Sequence, residues 1–310
     1  MVKKFVYGTP FETEAVVKEI PSSEGNPDYG TFSTENGFSF TTKLADDDMV
    51  FGLGEANRGI NKRGFLYISD CADDPNHVES KTSLYAAHNF IIISGKTHVG
   101  FFFDYPGTLR FDIGYTTSDT MTVSCENADL YVYMITGDSD LDIVKQFRGI
   151  IGRSYIAPKF AFGYGQSRWG YKTEDDFRTV VKKYRENHVP LDMVYMDIDY
   201  MQDYKDFTVN EERFPDFEGF VQDMKKEKIH LVPIIDAGVK VEEGYDIYEE
   251  GCEKGYFCRR EDGSYFEATV WPGWTHFPDV LNADARNWFG DKYDVLISKG
   301  IAAFWNAMNE

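Results

Sequence analysis

The chain has 310 residues, and 32 Lys and Arg against 52 Asp and Glu give it a formal net charge of −20. A polyanion is repelled by nucleic-acid phosphates and by anionic membrane surfaces, so we expect neither a nucleic acid nor a membrane as partner. Aromatic residues make up 16% of the sequence, which excludes a disordered acidic chain. The length suits about two domains.

The cysteines and the first residues bear on the cellular compartment. The sequence has four cysteines, Cys71, Cys125, Cys252 and Cys258. They are too few and too scattered for a disulfide framework. Residues 1–14 lack the apolar run of a secretory signal, and no segment approaches the roughly 20 apolar residues of a membrane span. We therefore expect a cytoplasmic protein.

The first part of the chain predicts β-structure. Short runs rich in β-branched and aromatic residues alternate with Gly, Pro, Asn and Asp, which is typical of a sandwich. The runs cover 14–20, 37–44, 89–95, 97–105 and 128–135. We predict an N-terminal antiparallel β-sandwich domain over 1–137. A long polar segment at 70–80 predicts an irregular loop, a kind of loop that is often functional.

The pattern becomes helical from Asp138 onward. Apolar residues recur at helical spacing and acidic residues stand at the start, so 138–157 predicts a linker helix and connection with Asp138 as N-cap.

Strands and helices alternate after Pro158, which indicates a parallel sheet with right-handed crossovers. The predicted strands are 161–170, 191–201, 230–239 and 301–310. The predicted helices are 173–187, 215–228 and 284–300, with an insertion at about 240–283. Thr173 begins a T-x-x-D capping signature.

A doubly wound sheet and a (β/α)8 barrel both fit this alternation. No G-x-G-x-x-G follows a strand, which leaves a dinucleotide-binding sheet without its phosphate loop. Acidic residues instead follow the predicted strands, namely Asp197, Asp199, Asp236 and Glu310. Barrel active sites are built at that end of the strands. A barrel takes about 250 residues. We therefore expect 158–310 to be the first half of a catalytic (β/α)8 TIM barrel, with about four βα units present.

Six segments resemble glycoside hydrolase family 31, the retaining α-glucosidases. They are FGLGEANRGINKRG (51–64), YGQSRWGYK (164–172), LDMVYMDIDYMQDYKDFTVNEERFPD (191–216), PIIDAGVKVEEGYDIYEEGCEKGYF (233–257), VWPGWTHFPD (270–279) and GIAAFWNAMNE (300–310). The resemblance implies an exo-acting enzyme that releases terminal non-reducing α-linked glucose from short maltose- or isomaltose-like glucans. Its partners would be α-glucoside di- and oligosaccharides, and its mechanism needs no cofactor and no metal. The histidines show no H-x-x-x-H spacing.

The resemblance also locates the nucleophile. In the family, strand four carries the motif Trp-Asn-Asp-Met-Asn-Glu with a nucleophilic Asp, and here residues 305–310 have Ala307 in that place. A methyl group cannot form the glycosyl ester, so we expect this chain to be inactive. Ala307 is either an engineered replacement or the mark of a natural non-enzyme. The family's acid/base Asp lies on strand six, beyond this sequence.

The resemblance further implies a set of substrate-binding residues. Asp197 would bind hydroxyls of the terminal glucose, and Asp236 is similarly placed. Ile198, which follows Asp197 as in the family's glucosidases, would also bind substrate, and apolar pocket walls would come from Trp271, Trp305 and Met308. Trp169 and Asp73 would contact the leaving-group sugar.

Three alternatives remain open at this stage. One is a catalytically silent sugar-binding protein. Another is an α-xylosidase, although the α-xylosidase branch of the family usually has Cys-Phe at the position that Ile198 occupies in this chain. The third is a β-glycosidase that uses Asn309-Glu310. The sequence also leaves open a homo-oligomer and the preference between α-1,4 and α-1,6 linkages.

Overall fold

Two five-stranded antiparallel sheets form the first unit of the computed structural model, which describes residues 1–308. This unit spans Met1–Tyr155. In spatial order, the first sheet contains β1 (Val2–Tyr7), β10 (Leu130–Gly137), β7 (His98–Asp104), β6 (Phe90–Ser94) and β4 (Met49–Gly52). The second contains β2 (Thr31–Ser33), β3 (Phe38–Lys43), β9 (Thr120–Cys125), β8 (Leu109–Ile113) and β5 (Phe65–Ser69).

The two sheets pack face to face through a phenylalanine-rich core. Phe40 of β3 lies 4.7 Å from Phe101 of β7, centroid to centroid, and Phe103 lies 5.8 Å from Phe111 of β8. All four rings are fully buried. Inward residues alternate with outward ones along the strands, as two packed sheets require. The predicted N-terminal sandwich is therefore confirmed.

Helix α1 (Asp140–Ile151) covers the outer face of the first sheet. Phe147 stacks on Phe90 with ring centroids 3.9 Å apart. Ser139, and not the predicted Asp138, is the N-cap, and its side chain accepts a hydrogen bond from the backbone N–H of Asp142.

The predicted strand at 14–20 is wrong. These residues are irregular, and the backbone N–H groups of Val17 and Lys18 donate to the carbonyl of Ile150 at the end of α1. The predicted runs also leave out six strands of this unit, β1, β2, β4, β5, β8 and β9. In β1 the lysines hide the strand pattern. Lys4 lies with its ammonium 3.8 Å from the ring centroid of Tyr131 on β10.

Four parallel strands form the sheet of the second unit, which begins at Ile156. In spatial order they are β11 (Gly165–Gln166), β12 (Met193–Met196), β13 (His230–Asp236) and β17 (Trp305–Ala307). The helices are α2 (Glu174–Glu186), α3 (Phe217–Lys226), α4 (Asp246–Lys254), α5 (Ala283–Asp291) and α6 (Asp294–Ile297). The spatial order follows the chain order, so this unit is a partial TIM barrel.

Local chemistry fixes where these elements begin and end. Thr173 accepts from the backbone N–H of Asp176, whose carboxylate accepts from the N–H of Thr173 in return, which confirms the capping box. The predicted strand at 191–201 stops at Met196, because Asp197 caps a 3-10 turn over Ile198–Tyr200. The predicted strand at 161–170 is shorter too, since Lys159–Phe162 forms a 3-10 turn.

The insertion between β13 and β17 contains α4 and a small antiparallel sheet. Its strands lie in the order β14 (Val239–Lys240), β16 (Gly273–His276) and β15 (Glu267–Val270). The predicted helix at 284–300 divides into α5 and α6 around Tyr293, whose ring packs at 4.8 Å on Phe304. Among residues 1–308, no helix has both the length and the apolar character that crossing a bilayer demands.

Candidate active site

The carboxyl ends of three neighbouring strands bring Asp197, Asp236 and Ala307 to one edge of the sheet. Asp236 of β13 pairs in register with Ala307 of β17. On β12, Met196 pairs with Pro233, so Asp197 follows level with Ile234. Residues two apart on a strand share a face, and paired residues of parallel strands do so as well. Asp197, Asp236 and Ala307 therefore share a face as well as an edge.

Asp236 is a buried carboxylate without a donor. Its side chain is 2% exposed, and neither carboxylate oxygen has a hydrogen-bond partner within residues 1–308. Burial raises the pKa of Asp236 to about 6, and the nearby charge of Asp197 adds to this effect. An unpartnered buried carboxylate is costly. A ligand that supplies hydroxyl donors would remove that cost.

Asp197 is half-buried at the end of β12. One carboxylate oxygen accepts from the backbone N–H of Ile198 at 2.8 Å. Burial raises the pKa of this carboxyl, the N–H of Ile198 opposes that effect, and the charge of Asp199 adds to it. The Ile198 side chain is buried directly after it.

The residues around Ala307 are arranged by β17. Trp305 shares the face of Ala307 and lies edge-on to Tyr195 of β12, with ring centroids 6.2 Å apart. The carbonyl of Ala307 accepts from the N–H of Ala237 at 3.1 Å. Met308 adopts a left-handed conformation with φ of 58°, so the chain turns immediately after the strand.

Trp271 stands at the tip of the hairpin formed by β15 and β16. The hairpin pairs with β14, which begins three residues after Asp236. The hairpin packs directly on the backbone of Gly238. A Cβ atom at Gly238 would lie 2.9 Å from the Val270 side chain and 3.0 Å from the Thr275 hydroxyl. Trp271 follows Val270 and is 58% exposed. The hairpin thus holds an exposed indole and is joined by strand pairing to β14, which follows closely after the end of β13.

Trp169 is 64% exposed in the segment after β11. The Lys172 ammonium lies 5.5 Å from its ring centroid and 3.8 Å from a carboxylate oxygen of Asp199. Asp199 is 1% exposed, and its other oxygen lies 3.3 Å from the Arg213 guanidinium, which also donates to the Asp199 carbonyl. Asp199 therefore anchors the segment that carries Trp169.

Asp73 belongs to the first unit, where it is exposed in the irregular loop at 70–83. The loop is organised at its base. The Ser83 hydroxyl donates to the carbonyl of Asp70, and Lys81 pairs with Asp74 at 2.9 Å. Arg58 donates to three backbone carbonyls, those of Leu66, Glu79 and Ser80.

Two residues near the strand ends, the buried Asp206 and the partly buried Tyr293, escaped the sequence analysis. Asp206 is 1% exposed, and its carboxyl accepts from the backbone N–H of Asp236 at 2.9 Å. Tyr293 donates its hydroxyl to the side chain of Asn306, next to Ala307, at 2.8 Å. Asp206 lies in the polar stretch 202–206 together with Asp203, and no pattern in one sequence distinguishes it from a loop residue.

The described part of the chain contains no group of three or more His, Cys, Asp or Glu side chains placed to hold a metal ion. The pair Asn309-Glu310, on which the β-glycosidase alternative rests, lies outside the described residues.

Family models match both parts of the chain. The "Glycosyl hydrolases family 31 TIM-barrel domain" matches residues 154–310, and the "Glycosyl hydrolase 31 N-terminal galactose mutarotase-like domain" matches residues 11–112. The chain belongs to glycoside hydrolase family 31. The resemblance and the fold class expected from the sequence are thus confirmed.

The curated relatives of this family-31 chain are longer proteins. It is 36% identical over 273 residues to alpha-glucosidase 2 of Bacillus thermoamyloliquefaciens. The aligned residues cover 86% of this chain and 34% of that relative. It is 27% identical to an alpha-glucosidase of Saccharolobus solfataricus, over 100% of the chain and 45% of that relative. The chain therefore spans less than half of the length of either relative.

Solved structures of the family share the fold. An alanine mutant of a Flavobacterium johnsoniae dextranase complexed with isomaltotriose superposes with a TM-score of 0.82 at 24% identity, over 89% of this chain and 34% of that one. The heterodimeric ER glucosidase II complex gives a TM-score of 0.77 at 25% identity, over 88% and 32% of the two chains.

Proposed function

We propose that this family-31 chain is part of an exo-acting retaining α-glucosidase that cleaves terminal non-reducing α-linked glucose from short α-glucans. With Ala307 at the nucleophile position, the chain binds these sugars and does not hydrolyse them. The proposal is supported by one arrangement above all. Asp197, Asp236 and position 307 share one face at the ends of three neighbouring strands.

The chemistry of retention explains the role of position 307. A retaining glycosidase needs a nucleophilic carboxylate and an acid/base carboxyl about 5–5.5 Å apart. An aspartate at 307 would stand beside Asp236 and present its oxygen to the anomeric carbon of a sugar held there. The methyl group of Ala307 has no electron pair to donate, so no glycosyl ester forms.

The other residues suit a pocket for one glucose unit. Asp236 and Asp197 carry buried and half-buried carboxylates that accept hydrogen bonds from sugar hydroxyls. Ile198, Trp271, Trp305 and Met308 would supply the apolar walls against which the C–H faces of the sugar pack. Trp169 and Asp73 would contact the leaving-group sugar.

The same proposal covers organisation and location. The sandwich would occupy 1–137, the linker 138–157 and the first half of the barrel 158–310. All four cysteines are free, which supports a reducing cytoplasm.

The test is Ala307→Asp in the full-length protein, assayed on aryl α- and β-glucosides and on maltose and isomaltose. We expect hydrolysis of the α-glucosides to rise by about 10⁴-fold or more over the alanine form. Ala307→Asn is the matched control, because it has nearly the same volume and no nucleophilic oxygen.

Two other outcomes are informative. If Ala307→Asp gives no α-glucosidase activity while calorimetry shows saturable maltose or isomaltose binding, the protein is a silent sugar-binding protein. If only β-glucosides are cleaved, the α-glucosidase assignment is wrong.

A further inference from the structure

A second buried carboxyl group, that of Asp206, lies within hydrogen-bond distance of the backbone of Asp236. Asp206 is 1% exposed, and one of its carboxyl oxygens accepts from the backbone N–H of Asp236 at 2.9 Å. The other oxygen is buried and has no hydrogen-bond partner within residues 1–308. Lys205, its neighbour in the sequence, pairs with Glu242 at 2.7 Å instead.

The hydroxyl groups around Asp206 are already engaged. Tyr245, just before α4, donates to the backbone carbonyl of Asp206 at 2.8 Å. Tyr200, in the 3-10 turn after β12, donates to the carbonyl of Ile234 at 2.8 Å. Tyr293, between α5 and α6, donates to Asn306. A phenol has one proton to donate. None of these three therefore remains to stabilise a negative charge on the Asp206 carboxyl.

An ionised Asp206 would thus be buried with one N–H donor and would be repelled by the nearby charge of Asp236. Two adjacent buried carboxylates do not both ionise readily, because each charge opposes the other and neither is solvated. Burial raises the pKa of Asp206 well above its ordinary value, and the charge of Asp236 adds to this effect.

We propose that Asp206 is a positioning residue that remains a neutral carboxylic acid and holds the backbone of Asp236, so that Asp236 is the one charged carboxylate of the pair. This inference rests on the proposed function for the role of Asp236 toward sugar. The consequence has a definite sign. When Asp206 loses its proton as pH rises, a second negative charge appears near Asp236, and sugar affinity falls.

The first experiment needs no sugar. Infrared spectra of the chain at about pH 8, above the range in which ordinary aspartates titrate, should contain the C=O stretch of a protonated carboxyl. We expect this band to vanish in Asp206→Asn and to persist in Asp104→Asn. Asp104 is a matched control because it is another buried aspartate whose pKa is raised by burial. Absence of the band from the unmodified chain would overturn the proposal, whether or not Asp206→Asn folds.

The second experiment measures isomaltose and maltose binding to the full-length protein by calorimetry across pH. Asp206→Asn, which mimics the neutral acid, should bind within about twofold of the parent at neutral pH and should lack its loss of affinity in alkali. Asp206→Ala, which leaves the Asp236 N–H without an acceptor, should bind about tenfold more weakly.

The outcomes separate the two proposals. A folded Asp206→Asn that loses tenfold or more of its affinity at neutral pH would show that the charge on Asp206 is required, and the inference would be wrong. If neither the parent nor any variant binds either sugar, the proposed function fails, while the infrared result still decides the state of Asp206.

Discussion

Asp236 and Ala307 face the same side of the sheet as register partners at the ends of β13 and β17. Neighbouring strands lie about 4.8 Å apart, so an aspartate at 307 would add a second negative charge next to Asp236. We expect Ala307→Asp to raise the pKa of Asp236 from about 6 by about one unit or more. The measurement is the ¹³C chemical shift of the Asp236 carboxyl as a function of pH.

Ala307→Asn is the control for that titration, because it adds the same bulk without the charge. Ala307→Asn should leave the pKa of Asp236 at about 6. Equal titration curves in the Asp and Asn variants would mean that the two side chains do not share a face.

The buried carboxylate of Asp236 also costs stability, and the sign follows from its pKa. The folded value is about 6 and the ordinary value is 3.8, so between them Asp236 binds more proton in the folded chain than in the unfolded chain. The contribution of Asp236 to the free energy of unfolding therefore falls as pH rises through this window. We expect Asp236→Asn to remove this contribution and to stabilise the second unit at neutral pH by about 2–3 kcal/mol.

Tryptophan fluorescence during urea unfolding measures this effect selectively. All five tryptophans, Trp169, Trp271, Trp274, Trp288 and Trp305, lie in the second unit. An Asp236→Asn variant that keeps the parental dependence on pH would contradict the assignment of the raised pKa to Asp236.

Lys172 links an exposed indole to a buried carboxylate. Its ammonium lies 3.8 Å from Asp199 and 5.5 Å from the ring centroid of Trp169. Lys172→Met should destabilise the second unit by about 1 kcal/mol, because Asp199 then has one cation fewer. The fluorescence anisotropy contributed by Trp169 should fall in Lys172→Met. This contribution is obtained by subtracting the emission of the corresponding Trp169→Phe variants. Lys172→Arg should preserve both quantities, and a Lys172→Met protein with unchanged anisotropy would refute the link.

Arg58 fixes the loop that carries Asp73. Its guanidinium donates to the carbonyls of Leu66, Glu79 and Ser80, and its backbone is left-handed with φ of 71°. Asn tolerates that backbone conformation, so Arg58→Asn removes the side-chain bonds with little added strain. We expect cleavage at 70–77 in limited proteolysis to accelerate by about tenfold.

The matched control for the loop is Lys96→Ala, a change at an exposed position outside the loop. Its cleavage pattern should match that of the parent. Equal cleavage rates in Arg58→Asn and Lys96→Ala would show that the loop is held by other contacts.

The sequence predicted the features that depend on residues close together in the chain. Helix periodicity and the Thr173 capping box are patterns of this kind. The positions of the acidic residues at strand ends follow from the alternation of strands and helices. Because parallel strands end at a common edge, the sequence alone predicts Asp197 and Asp236 near position 307.

What the sequence missed depends on partners that are distant in the chain. β1 contains Lys3 and Lys4, and it is a strand because it pairs with β10, whose partner residues lie 123 to 133 positions further along the chain. Asp206 is significant only because folding brings its carboxyl within hydrogen-bond distance of the backbone of Asp236. Tyr293 interrupts a helix that periodicity alone would continue, since its ring packs on Phe304.

The hairpin that carries Trp271 packs closely on Gly238, where an added Cβ atom would lie 2.9 Å from the Val270 side chain and 3.0 Å from the Thr275 hydroxyl. Val270 and Thr275 belong to the two different strands of that hairpin. We therefore expect Gly238→Ala to displace both side chains and, through them, the strands that hold the Trp271 indole.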